Sequence, residues 1–91
     1  MRWRRRADVL WRRAVDAVVL LPVGADDPVL LPGTGAAVWE LLEQPATLDE
    51  LLAALREVYG TDADAASVEA DVVALLDRLV GLGAVEVDPR G

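Results

Sequence analysis

The sequence predicts an α+β fold, a three-stranded antiparallel sheet followed by three helices (β-β-β-α-α-α). Three observations predict it. Short apolar runs separated by turn residues fill the first third of the chain, at 9–13, 17–21 and 29–31. Helix starts and stops fill the remainder, with a capping signal at Thr47 and glycine stops at Gly60 and Gly83. The two halves meet in Pro28 to Leu42, PVLLPGTGAAVWELL, where a proline-bracketed apolar run passes through Gly-Thr-Gly into a helix.

Taken in order, residues 1–8 are basic and read as a flexible N-terminus, and 9–87 as a single domain, with 88–91 a C-terminal tail. Val9 to Arg13 alternates as a first strand, with Ala14 to Asp16 as the turn. Ala17 to Leu21 is continuously apolar and ends at Pro22, which suits a strand covered on both faces. Gly24 to Asp27 is turn chemistry. Pro28 then opens the third strand, where proline is tolerated because it stands at the first position.

The first helix is expected from about Thr34, as N-cap, to Glu43, with Ala37, Val38, Leu41 and Leu42 on one face and Trp39 flanking. Thr47-Leu48-Asp49-Glu50 is a capping box that starts the second helix, whose stripe is Leu48, Leu51, Leu52 and Leu55. Val58 and Tyr59 close it before Gly60. Asp62 or Asp64 would cap the third helix, which runs to about Leu82 before Gly83. Ala84 to Val87 alternates like a short last strand. Two capped helices followed by a longer one fit a winged-helix-like trihelical unit.

On the third helix, Val68, Val72, Leu75, Leu79 and Leu82 form the expected core stripe. Val73, Leu76 and Val80 widen the apolar arc to roughly 180°, beyond the ~100° that docks a helix. That extra flank is expected either to pack inside or to wall a groove beside the third strand.

Composition narrows the chemistry. With 54% hydrophobic residues, 91 residues can bury one core. There is no cysteine, hence no disulfide or thiolate metal site. Asp8, Arg12, Arg13 and Asp16 interrupt the N-terminal apolar run far short of the ~18 residues a membrane span needs. A cytoplasmic protein is expected. The net charge of −7 divides into +5 over residues 1–13, from six arginines and Asp8, and −12 over the rest. An acidic body disfavours a phosphate backbone, and the basic head reads as a solubilising or frayed terminus. Histidine and lysine are also missing, which removes the usual general base and Schiff-base amine. Ser67 has no evident base partner. Gly33-Thr34-Gly35 lacks the lysine and spacing of a phosphate loop. No catalytic residue, metal or cofactor is expected, and binding is the remaining role.

The run VLLPGTGAAVWELL, then TLDELLAAL and VYG, then EADVVALLDRLVGLGAVE, resembles the PqqD-like family of recognition elements for RiPP precursor peptides. Leu31, Thr34, Gly35, Ala36, Trp39, Leu42, Thr47, Leu51, Leu55, Tyr59, Asp71, Val72, Leu76, Leu79 and Gly83 carry the resemblance, across roughly 9–87. Pro32-Gly33 departs from it, where the family often has Leu-Asn. The resemblance implies a non-catalytic winged-helix-like domain that binds the leader of a ribosomally made precursor. The leader would add as a strand to the third strand and rest against the third helix, and the complex would present the core peptide to a radical SAM enzyme, a cyclase or a leader peptidase.

The residues then expected to bind peptide are Val29, Leu30 and Leu31 on the strand, and Val72, Val73, Leu76 and Val80 on the helix. Pro28 and Pro32 lack N–H groups, so only the three residues between them can donate. No nucleic acid or membrane partner is expected, and the chain should be a monomer or weak homodimer. The alternatives are a winged-helix DNA-binding regulator, which should carry a basic recognition helix, and a homodimerisation module.

Overall fold

The computed structural model of the chain describes residues 1–60 and 65–89. Its elements are β1 (Arg2–Arg5), β2 (Leu10–Ala14), β3 (Ala17–Leu21), β4 (Val29–Pro32), α1 (Thr34–Leu41), α2 (Leu48–Tyr59), α3 (Ala65–Gly81) and β5 (Val85–Asp88). The expected three-stranded antiparallel sheet forms with the order β2-β3-β4, so β2 and β4 are its two edges. Val15 and Asp16 make a two-residue turn between β2 and β3, with Asp16 at φ 58°. Aspartate is among the few side chains that accept that left-handed backbone.

One face of this sheet lies on the helices. Val18, Leu20 and Leu31 bury their side chains there with Val38, Trp39, Leu42, Leu51, Leu55, Val72, Leu76 and Leu79. The other face is outward, so β3 is not covered on both faces as its apolar run implies: Leu10, Leu21 and Leu30 are 69%, 40% and 57% exposed.

The capping chemistry is as the sequence implies. Thr47 Oγ1 accepts from the Glu50 amide at 3.2 Å, and Glu50 Oε1 accepts from the Thr47 amide at 3.1 Å. Those bonds hold the Glu50 carboxyl below its ordinary pKa. At the end of α3, the Ala84 amide donates to Leu79 O and the Gly83 amide to Val80 O, both at 3.0 Å, with Gly83 at φ 75°. This is a Schellman stop, and it needs the glycine. The first helix differs from expectation. Gly33, at φ 56°, is its N-cap, and Thr34 is already helical with no side-chain cap bond. The expected caps of α3, Asp62 and Asp64, lie outside the described residues.

Two further expectations are corrected. Residues 1–8 are not a loose head: β1 pairs antiparallel with β5 as a second, two-stranded sheet. On its other side Trp3 exchanges both backbone bonds with Ala46, at 2.8 and 3.0 Å. The N-terminal arginines spend their charge within the chain. Arg2 pairs with Glu50 at 3.6 Å, Arg4 with Glu86 at 2.9 Å, Arg6 with Asp8 at 3.1 Å, and Arg13 with Glu40. Each exposed pair contributes little energy, but together they explain how a basic strand lies on an acidic body. The second correction concerns Trp39. It is fully buried as part of the core instead of flanking the buried stripe. No described helix is long and apolar enough to cross a membrane.

Candidate functional site

The candidate site is the free border of β4. Its hydrogen-bonding capacity follows from the register. A two-residue loop leaves Ala14 and Ala17 as the closing pair of the β2–β3 hairpin, and such a pair exchanges both backbone bonds. Bonded and non-bonded pairs alternate, so Arg12–Val19 and Leu10–Leu21 are bonded too. Val18 and Leu20 then aim their backbone groups at β4, where they face Leu31 and Val29. Those two residues are consumed by β3. Leu30 alone, facing Val19 in a non-bonded pair, turns its N–H and C=O to the open border. Pro32 shares its parity, as does Pro28 just ahead of the strand. The prolines stand where the neighbouring outward donors would be, so Leu30 is the one donor of this border, not one of three as the sequence suggests. Among the described residues no backbone group bonds to that side.

Side chains alternate with the backbone. Leu31 is buried at 1% exposure, Val29 is half-buried on the helix side, and Leu30 points outward. Next to the strand, Gly35 stands in the first turn of α1. A methyl built on Gly35 would lie 3.4 Å from Leu31 Cβ and 3.8 Å from Leu75 Cδ1, so β4, α1 and α3 converge there.

That contact orients α3. Val72, Leu76 and Leu79 are fully buried, and Leu75 and Val68 are partly buried against the core. Leu75 is on the flank facing the β4–α1 junction. At ~100° per residue, Val73 and Val80 lie roughly 140–160° round the helix from Leu75. Both are exposed, at 37% and 38%, on the far flank. The structure therefore brings Leu75 to the junction, together with Asp71 and Arg78 one turn before and after it, and leaves Val73 and Val80 elsewhere. Leu76, expected to wall a groove, is instead fully buried in the core, on a helix that packs on α1, α2 and β5. Gly35 opening a helix beside a strand was the sequence signal for a close approach; a wheel count alone does not say which flank meets the strand.

The opposite border of the sheet, β2, flanks a cleft of about 450 Å³ between β2 and α1, lined by Arg5, Trp11, Arg13, Ala37, Leu41 and Val58 among others. Arg5 sits between two rings, 4.7 Å from the centre of Trp11 and 4.9 Å from that of Trp39. Its Nε and Nη2 donate to Trp39 O at 2.9 and 2.5 Å. Burial lowers its pKa while Glu43 and Glu40 pull it back up, and it stays a cation. Among the described residues, buried Trp39 Nε1 has no hydrogen-bond partner.

Among curated proteins none matches the sequence. The fold is similar to that of TbiB1, solved in complex with the TbiA(beta) leader peptide, with a TM-score of 0.80 and 26% identity over 93% of this chain and 96% of that one. The family described as coenzyme PQQ synthesis protein D (PqqD) matches residues 17–85, from the start of β3 into β5. The chain belongs to the PqqD family.

Proposed function

We propose that the protein is a non-catalytic, cytoplasmic peptide-binding protein that captures the leader of a ribosomally made precursor and presents it to a modifying enzyme. The observation that carries this reading is the likeness, over nearly the whole chain, to a protein solved with a leader peptide. The uncovered border of β4 offers a place for an added strand. The leader would bond to the N–H and C=O of Leu30 and to the carbonyl of Pro32. Such a ladder is short, so side chains must supply most of the affinity and the specificity. Val29 and Leu75 would meet an apolar anchor of the leader, and Asp71 and Arg78 would read charges on either side of it. A radical SAM enzyme, a cyclase or a leader peptidase would then act on the presented core.

The DNA-binding alternative fits poorly, because α3 carries Glu69, Asp71 and Asp77 against Arg78 alone. The test is calorimetric titration with leader-length peptides from precursor frames encoded beside this chain, with the TbiA(beta) leader as a comparison. Saturable one-to-one binding supports the reading. Failure of every leader, combined with tight duplex DNA binding at physiological salt, would overturn it.

A further inference from the structure

We infer that β2 is a second strand-accepting border, and that its occupant is an extended segment of another protein with the pattern apolar–acidic–apolar. The first ground is backbone capacity. By the alternation fixed at the Val15-Asp16 turn, Trp11 and Arg13 face β3 in non-bonded pairs and turn their N–H and C=O outward. No proline interrupts them. This border therefore offers two donors where β4 offers one, and among the described residues nothing bonds to it. The side chains of Trp11 and Arg13 also line the cleft, so an added strand would place alternate side chains into it.

The second ground is an internal template. Trp11-Arg12-Arg13 repeats Trp3-Arg4-Arg5. The first copy is already paired, and it shows the side-chain pattern that suits it: Trp3 faces Val87, Arg4 faces Glu86 and Arg5 faces Val85, although there the backbone bonds run through Arg4 and not through Trp3, which bonds Ala46. The central arginine bonds the central glutamate at 2.9 Å. In the second copy the central arginine, Arg12, has no acidic partner among the described residues, whereas Arg2, Arg4, Arg6 and Arg13 all do. An added antiparallel strand would set its middle residue opposite Arg12 in a non-bonded pair, the closer of the two pair types, so a carboxylate there is well placed.

The same register argues against a second copy of this chain. Self-pairing that satisfies Trp11 and Arg13 sets Arg12 directly opposite its own counterpart, and like charges so placed repel. The partner is thus another protein, whatever occupies β4.

The probe is the acetylated, amidated hexapeptide Gly-Ala-Val-Glu-Val-Asp, the chain's own 83–88, against the same peptide with lysine for glutamate. Binding is followed by amide chemical shifts. The glutamate peptide should move the amides of Trp11, Arg12 and Arg13 and bind about tenfold more tightly than the lysine peptide. Arg12→Glu should reverse that preference, and Arg13→Pro, which removes an outward donor without touching the β3 ladder, should abolish binding. Unmoved amides at millimolar peptide, or a preference unchanged in a folded Arg12→Glu variant, would overturn the inference. Leader affinity should be unaffected by both variants. Loss of leader affinity in Arg13→Pro would move the leader to β2 and sink the β4 assignment, with the strand-accepting border at β2 still standing.

Discussion

At the scale of single residues, two positions decide most. Leu30 is the lone outward donor of β4, bracketed by prolines that cannot donate. The bracket was legible in the sequence, but the parity was not, because it is set by a turn between two other strands. Trp39 is the other. Its ring is fully buried in the core, yet among the described residues its Nε1 has no partner. Trp39→Ala should lower unfolding stability by ~3–5 kcal/mol, since it opens a large cavity. Trp39→Phe should cost much less, under about 2 kcal/mol, because removing an unpaired buried donor returns ~1–3 kcal/mol of desolvation against the smaller ring's lost contacts. Urea titration of both variants measures the difference, and equal losses would show that the indole N–H is satisfied in solution.

At the scale of elements, α3 shows what a periodic pattern can and cannot say. The run from 68 to 82 correctly implied a helix, and the capping box before α2 and the glycine stop after α3 were readable because each is local chemistry. The flank that meets β4 was not readable, because it depends on how three elements cross. Leu76 is fully buried and Val80 is exposed on the flank away from Leu75. Leu76→Asp should therefore unfold the domain, as an unpaired buried carboxylate costs several kcal/mol. Val80→Asp should change stability by no more than about 0.5 kcal/mol and leave leader affinity as it was. Circular dichroism and calorimetry on the two variants check this; a folded Leu76→Asp protein that binds weakly would return Leu76 to the groove.

At the scale of the whole molecule, the surprise is the N-terminus. Its arginines suggested a solvated head, and the rule behind that reading is sound for an isolated run of like charge. It fails here because the acidic residues that neutralise the run, Glu40, Glu50 and Glu86, come from distant segments. β1 closes over the link between α1 and α2 and pairs β5 along its length. Deleting residues 1–8 should lower stability by roughly 2–4 kcal/mol, through lost backbone bonds and apolar cover, and should speed amide exchange in β5 before β3. The central claim, that a leader adds to β4, meets its most direct test in one titration of Leu30→Pro. That substitution removes a donor β3 does not use, so the protein should remain folded. Leader affinity should fall by about tenfold or more. A folded Leu30→Pro protein that binds the leader as tightly as the unaltered chain would contradict the account.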